Sequence, residues 1–448
     1  MERIDEFLRK HRITEIEAII PDMAGTARGK IIPRSKFESG ESMRLPQAVM
    51  MQTVTGDYPE VGITGITGVT DPDMVCVPDP ATIRLIPWAV DPTAQVIHDC
   101  VHFDGTLVAI SPRRVLRQVL QKFADKGWRP VVAPELEFFL VDANRDPDLP
   151  LQPPVGRTGR AETGRQAYSI DAVNEFDPLF EDTYEYCEVQ ELEVDTLIHE
   201  VGAAQMEINF MHGDPLNLAD GVFLFKRTVR EAALRHKMYA TFMAKPMENE
   251  PGSAMHVHQS IVDEETGRNL FANRDGEPSG LFLFYSYIAG LQKYTLALMP
   301  IFALYINSYR RLSRFMAAPI NVQWGYDNRT VDFRVPHSSA QSRRIENCIP
   351  GVDCNPYLAI AATLAVGYLG ITQHLEATEP LASDGYRQPY QLPRNLDEGL
   401  TLMGACEPLA EMFGESFVRA YLALKETEYE AFFRVISSWE RKHLLLHV

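Results

Sequence analysis

The chain has 448 residues, too many for one small core, and its 45% hydrophobic and 23% charged residues are ordinary for a soluble globular protein. A formal net charge of −18 argues against a nucleic-acid or anionic-membrane partner, while leaving room for a nucleotide held locally by arginines and metal ions. Six cysteines (Cys76, Cys100, Cys187, Cys348, Cys354 and Cys406) form no CxxC pair, so neither a disulfide framework nor a thiolate zinc site is indicated.

Met1-Glu2-Arg3-Ile4-Asp5-Glu6 is acidic at once and lacks the apolar core of a secretory leader. The longest apolar run, 358–371, is shorter than the roughly 20 residues that a bilayer crossing needs, so no membrane segment and a cytoplasmic location are expected. The first hundred residues read as short strands (Glu17-Ala18-Ile19-Ile20, Met74-Val75-Cys76-Val77, Gln95-Val96-Ile97-His98) broken by Gly and Pro turns. The Gly/Thr-rich run from Thr64 to Thr70 reads as a mobile loop. A boundary is expected at Asp104-Gly105, giving domains 1–104 and 105–448.

Beyond it, Ser111 reads as an N-cap with Pro112 at the first helical position, and Val115, Leu116, Val119, Leu120 and Phe123 supply a buried stripe. The helix stops near Gly127 and leads into a strand containing Glu135 and Glu137. Residues 145–167 are rich in Pro, Gly and Arg and read as a loop. A second helix is expected from just after Asp220 to about Lys237, then a strand over Tyr239–Pro246 with Met255–Ile261 as its neighbour. Asn355-Pro356 opens an Ala-rich helix with good cap chemistry. Strands and helices mix without a strict βαβ rhythm, which points to an α+β fold.

Three separated stretches carry the chemistry: Pro134-Glu135-Leu136-Glu137-Phe138, His199-Glu200-Val201 running on to Gln205-Met206-Glu207, and Met255-His256-Val257-His258. Residues two apart in a strand share a face, so Glu135 and Glu137 would point one way, as would His256 and His258. Carboxylates gathered among apolar neighbours repel and drift toward neutrality unless cations sit between them. Hard divalent ions favour such oxygen ligands, with some imidazole, and a dinuclear carboxylate site suits phosphoryl transfer. An arginine cluster follows (Arg310, Arg311, Arg314, Arg329, Arg334, Arg343, Arg344), and its guanidinium forks match carboxylate and phosphate oxygens. There is no GxxxxGK[ST] and no GxGxxG, so a nucleotide would be held by metals and arginines.

These motifs, together with Lys245-Pro246, Gly252-Ser253-Ala254, Asn307-Ser308-Tyr309-Arg310-Arg311, Asn328-Arg329-Thr330, Arg343-Arg344-Ile345-Glu346 and Asn355-Pro356-Tyr357-Leu358, resemble the bacterial type I glutamine synthetase family in order and approximate spacing. The resemblance implies an N-terminal β-grasp domain, then a catalytic domain whose curved antiparallel sheet is flanked by helices. It also implies six-subunit rings, as a hexamer or dodecamer, with each active site completed by a neighbour. Carried over by position, Glu137, Glu200 and Glu207 would hold one divalent ion and Glu135, His256 and Glu346 a second, either Mg2+ or Mn2+. Arg311 and Gly252 would bind L-glutamate; Arg329, Arg334 and Arg344 would neutralise phosphoryl charge; and His258 and Ser260, with Arg334 and Arg344, would contact ATP.

Departures from the family pattern point to the acceptor. Where glutamine-forming enzymes carry a flap glutamate this chain has Ala317, and their Asp-Gly-Ser-Ser segment is replaced by Thr55-Gly56-Asp57-Tyr58. A less anionic pocket resembles that of the gamma-glutamylpolyamine and gamma-glutamylamide synthetases, which glutamylate amines larger than ammonia. Asp57 from a neighbouring chain is the candidate proton acceptor, and Cys348 stands where an arginine is usual. Glutamine synthesis from ammonia and a ring-forming homologue without catalysis stay open as rivals; a metal-dependent hydrolase would leave the arginines without a role. Tyr390, near a segment that some relatives modify, reads as an ordinary surface tyrosine.

Overall fold

The computed structural model describes residues 2–60, 65–67, 70–272, 279–314 and 318–448. The run 64–70 lies partly outside these residues, and Ala317 wholly so.

The strands divide between two sheets. The first has β1 (Glu15–Pro21), β2 (Ala27–Pro33), β3 (Met43–Pro46), β4 (Asp73–Pro78), β5 (Arg84–Leu85) and β6 (Thr93–Val101), in the order β2-β1-β6-β4-β3 with β5 also on β6. Its central pair, β1 and β6, is parallel, and the other pairs are antiparallel. The amphipathic helix Glu2–Lys10 buries Ile4 and Leu8 and leaves most of its charged residues exposed.

The second sheet has β7 (Trp128–Asp142), β8 (Val194–His199), β9 (Gln205–Phe210), β10 (Met238–Thr241), β11 (Met255–Asp263), β12 (Trp324–Tyr326), β13 (Phe333–Val335) and β14 (Ile345–Asn347). Their order is β12-β13-β14-β11-β7-β9-β8, with β10 also on β7. It is antiparallel except for the β12–β13 pair, which is parallel. The helix Pro356–Thr372 is apolar all round, as a helix at the centre of a core must be, and packs on the helix Ser279–Phe302. The approach is close because glycines line it: a Cβ on Gly290 would lie 2.0 Å from the Val366 carbonyl, and one on Gly370 2.0 Å from that of Ser286. The α+β class expected from the sequence is the class observed. Among the described residues no helix is long and apolar enough to cross a membrane.

Several local expectations need correction. The second helix begins at Pro215, capped by the Asp214 carboxylate on the Leu216 and Asn217 amides, and Asp220 lies inside it, bound to Arg113. The strand expected over 239–246 ends at Thr241, and it pairs with β7 rather than β11. Ser111 occupies the N-cap position, but its hydroxyl makes no capping bond; Asn355, by contrast, caps Tyr357 and Leu358 as expected. Tyr390 is half-buried, with its hydroxyl donating to the Leu312 carbonyl and Arg394 over its ring.

Candidate active site

β7 is the axis of the site. From Leu136 to Leu140 its apolar side chains are fully buried, so Glu135 and Glu137 are carried into the interior by the strand that holds them. Antiparallel pairing then sets their neighbours. Glu135 lies opposite His256 on one side and Asn209 on the other; Glu137 lies opposite Glu207. One strand further out, His258 faces Glu346, which in turn faces Arg334. Because directly paired residues share a face, one side of the sheet collects four carboxylates, two imidazoles and a guanidinium. Glu200 joins from the turn after β8, its amide bonded to the Gln205 carbonyl.

Electrostatically this face has two halves. Burial, reinforced by the charges of Glu137 and Glu135, pushes the Glu207 carboxyl up to about 8. Burial likewise pushes Glu137 up to about 7, against the pull of His256, and raises Glu200. In the other half, burial would raise Glu135, but the nearby His256 imidazole and the hydrogen bond from His258 outweigh it and hold that carboxyl well below the usual range. Glu346 is likewise buried yet lowered, by His258, His256 and Arg334. Burial would depress His256, but Glu135, Glu137 and Glu346 outweigh it and push the imidazole up to about 9.

His258 is fixed between two partners. Its Nδ1 accepts from Arg344 Nε at 3.3 Å and its Nε2 donates to Glu135 Oε1 at 2.8 Å, which selects one tautomer. Arg334 bonds Glu346 at 2.8 Å and Asp327 at 3.0 Å. Arg311 is buried, with Nη1 and Nη2 on the carbonyls of Ile349 and Cys348. Gly252 is pressed against it: a Cβ there would lie 2.5 Å from both Arg311 Cγ and the Ala244 carbonyl. Arg329 is exposed and lines a small cleft with His256, Arg334, Glu346, Cys348 and Tyr386. Ser260 lies two residues beyond His258 on β11, opposite Val131. Asp57 is exposed in the first sheet's Thr53–Asp57 turn, accepting from Thr55; no hydrogen bond or ion pair among the described residues joins it to the cluster of its own chain.

Some functional positions were not singled out from the sequence. Gln205 is buried and bridges Glu137, the Gly252 carbonyl and Ser253 through its Nε2; it shares a strand face with Glu207, so period-two spacing carried the signal. Glu162 accepts from His199 Nε2 at 3.0 Å and from the Ala204 amide at 2.7 Å, yet it sits in the irregular 145–167 loop, where no periodicity marks it.

Residues 109–444 match the glutamine synthetase catalytic domain. The chain is 34% identical to the gamma-glutamylputrescine synthetase of Escherichia coli K12, covering 99% of this chain and 94% of that protein. The chain belongs to the glutamine synthetase family. A glutamate–isopropylamine ligase from a Pseudomonas species is 30% identical, covering 98% of this chain and 96% of that one. Among solved structures, the ligand-free form of GmaS superimposes with a TM-score of 0.84 at 27% identity, over 99% of this chain and 100% of GmaS. The family's enzymes are ATP-dependent carbon–nitrogen ligases that work with divalent metal ions, and this family member is a ligase of that class.

The donor set of the ligase fits such ions. Ligand atoms of Glu135, Glu207 and His256 lie within 4.8 Å of one another, as do those of Glu135, His258 and Glu346, and those of His256, Glu346 and Cys348. Carboxylate oxygen with imidazole suits Mg2+ or Mn2+. Burial pushes the Cys348 thiol well up, so it stays protonated and is the poorest ligand of the group. Glu137 and Glu200 belong to none of these trios; Glu137 Oε1 lies 3.9 Å from His256 Nε2.

Proposed function

We propose that this ligase joins the γ-carboxyl of L-glutamate to an amine at the expense of ATP. The observation that carries the reading is the division of one sheet face: Glu137 lies opposite Glu207 and beside His256, while Glu135 and Glu346 are bonded to His258 and Arg334, with Arg344 on His258. The first half is a place for an amino acid and the second for polyphosphate.

In the first step a γ-carboxylate oxygen attacks the terminal phosphorus of ATP; the P–O bond to ADP breaks and a γ-glutamyl phosphate forms. In the second the amine nitrogen attacks the carbonyl carbon of that acyl phosphate, the C–O bond to phosphate breaks, and the nitrogen loses a proton. Two Mg2+ or Mn2+ ions, one on Glu137, Glu200 and Glu207 and one on Glu135, His256 and Glu346, would supply positive charge to the phosphoryl oxygens. Arg311 and Gly252 orient the glutamate backbone, and Arg329, Arg334 and Arg344 take the charge that develops on the moving phosphoryl group. His258, held by Arg344, and Ser260 face the nucleotide.

The acceptor is an alkyl amine or polyamine in this reading. Support comes from relatives named for putrescine and isopropylamine and from Ala317, whose side chain brings no carboxylate to attract ammonium. Asp57 of a neighbouring subunit, in a six-membered ring or a pair of rings, would take the proton. A cytoplasmic location suits an enzyme that consumes ATP. The test is an amine panel, ammonia included, supplied with ATP, L-glutamate and Mg2+ or Mn2+, followed by phosphate release and by mass detection of the glutamyl product. Turnover with amines above that with ammonia supports the reading; preference for ammonia makes the protein a glutamine synthetase, and no phosphate release with any acceptor ends the proposal.

A further inference from the structure

A second cavity, of about 760 Å³ against about 60 Å³ for the cleft at His256 and Cys348, opens between the first sheet and the helices of the catalytic unit. None of the six candidate metal ligands lines it. It is bounded by the β1–β2 turn at Gly25, the helix Pro215–Arg235 and the segment 240–243. Its volume falls in the range of roughly 300–1,000 Å³ typical of small-molecule sites.

Most charged groups in its wall are already engaged. Lys226 Nζ donates to the carbonyls of Val352 at 2.6 Å and Cys354 at 3.0 Å. Arg227 is held by Glu17 and Gln95, each at 2.6 Å. Glu428 accepts from Lys425 at 2.6 Å and from the Val54 amide at 2.8 Å. Arg230, one helical turn beyond Lys226, differs. Its side chain is exposed to the cavity, its guanidinium lies 5.1 Å from the centre of the Phe242 ring, and it makes no hydrogen bond or ion pair among the described residues. A guanidinium presents a rigid fork of donors that a carboxylate matches with two parallel bonds. Met243 gives an apolar body a surface to lie on, and the exposed side chains of Val54 and Phe432 also line the space. The carboxylates of Glu231, Asp353 and Glu428 also border the space, so a second negative charge on the ligand would be repelled.

We propose that this cavity binds a small monocarboxylic acid with an apolar body, its carboxylate forked by Arg230 and its body laid along Met243. This claim does not rest on the ligase reading. Binding is measured without turnover, so failure of one leaves the other standing.

The probe is 3-phenylpropionate, with 3-phenyl-1-propanol as its uncharged twin, titrated calorimetrically into the full-length protein in its native assembly. The acid should bind at least tenfold more tightly than the alcohol. Arg230→Gln should weaken the acid by on the order of tenfold or more and leave the alcohol unchanged, since a hydrogen bond to a charged group is involved. Arg230→Lys, which keeps the charge but loses the fork, should fall between. Met243→Trp, at a side chain 43% exposed, should weaken both probes by filling the space. Melting curves confirm that each variant is folded. Absence of acid binding, equal binding of acid and alcohol, or acid binding indifferent to both Arg230→Gln and Met243→Trp overturns the proposal.

Discussion

Glu137 and Glu207 lie directly opposite one another on β7 and β9, with only 9% and 6% of their surface exposed. Like charges in direct cross-strand register destabilise a sheet, so without a cation the folded chain keeps protons there. The consequence runs through linkage. Folded Glu137 and Glu207 hold protons to about 7 and about 8, whereas an unfolded glutamate releases its proton near 4.5. Folded His256 holds its proton to about 9 against 6.5. Between about pH 4.5 and pH 9 these three groups therefore hold more protons folded than unfolded, and their contribution to metal-free stability falls as pH rises. Glu135 and Glu346 are shifted down, so their contribution is lost only as the pH falls below the ordinary carboxylate range. Thermal unfolding in EDTA should show a higher midpoint at pH 6 than at pH 9; a flat or rising profile counts against this charge arrangement.

Substituting one member of the pair separates charge from shape. Glu207→Gln keeps the volume and removes the buried charge, so at pH 9 in EDTA it should be more stable than the wild type by about 1–3 kcal/mol. The gain has a cost in cation binding. Mg2+ or Mn2+ must displace protons from this half of the face, so the metal-induced rise in melting temperature should be larger at pH 8 than at pH 6 in the wild type. Most of that rise should vanish in Glu207→Gln. An equal rise in both proteins would remove Glu207 from the metal site.

Gly252 offers a test at the amino-acid end. With both the Arg311 stem and the Ala244 carbonyl 2.5 Å from a hypothetical Cβ, Gly252→Ala forces the guanidinium away from its seat on Cys348 and Ile349. Displacing a positioning group by about 1 Å can cost on the order of 10²-fold in rate. The expected loss is of that size in kcat/KM for glutamate, carried mainly by KM, with the KM for ATP little changed. Unaltered glutamate kinetics would show that Arg311 does not hold the amino acid.

What was legible in the sequence is what strand periodicity encodes. Glu135 and Glu137, or His256 and His258, are two apart in runs that read as strands, so their shared face followed at once. Which strands pair, and in what register, depends on contacts between residues far apart in the chain; the Glu137–Glu207 and His258–Glu346 oppositions were therefore invisible until the sheet was seen. At one helix the local cap signature marks the true start and the expected start misses it. Asp214-Pro215 carries the same cap and first-turn signature as Asn355-Pro356, but the start was placed after Asp220, a residue that is polar and yet buried. A buried aspartate inside a helix makes sense only once its partner is known.

That partner, Arg113, gives a prediction about how the two sheets are joined. It is fully buried; Nη2 reaches Asp79 at 2.8 Å and Asp220 at 2.7 Å, and Nη1 reaches Asp99 at 2.7 Å. Asp79 and Asp99 adjoin or belong to the first sheet, while Asp220 is in the helix Pro215–Arg235 beneath the second and also accepts from the Tyr357 hydroxyl. Arg113→Met would fill much of the same volume but leave three carboxylates facing one another, with Arg117, 38% exposed, as their remaining cation. Breaking a buried pair by removing one partner costs about 3–5 kcal/mol. The variant should lose stability of that order, and restoring part of it should need only the removal of charge from the deepest carboxylate, as in Arg113→Met with Asp220→Asn. If the double variant is no more stable than the single one, the loss comes from packing around Arg113 and not from the stranded charges.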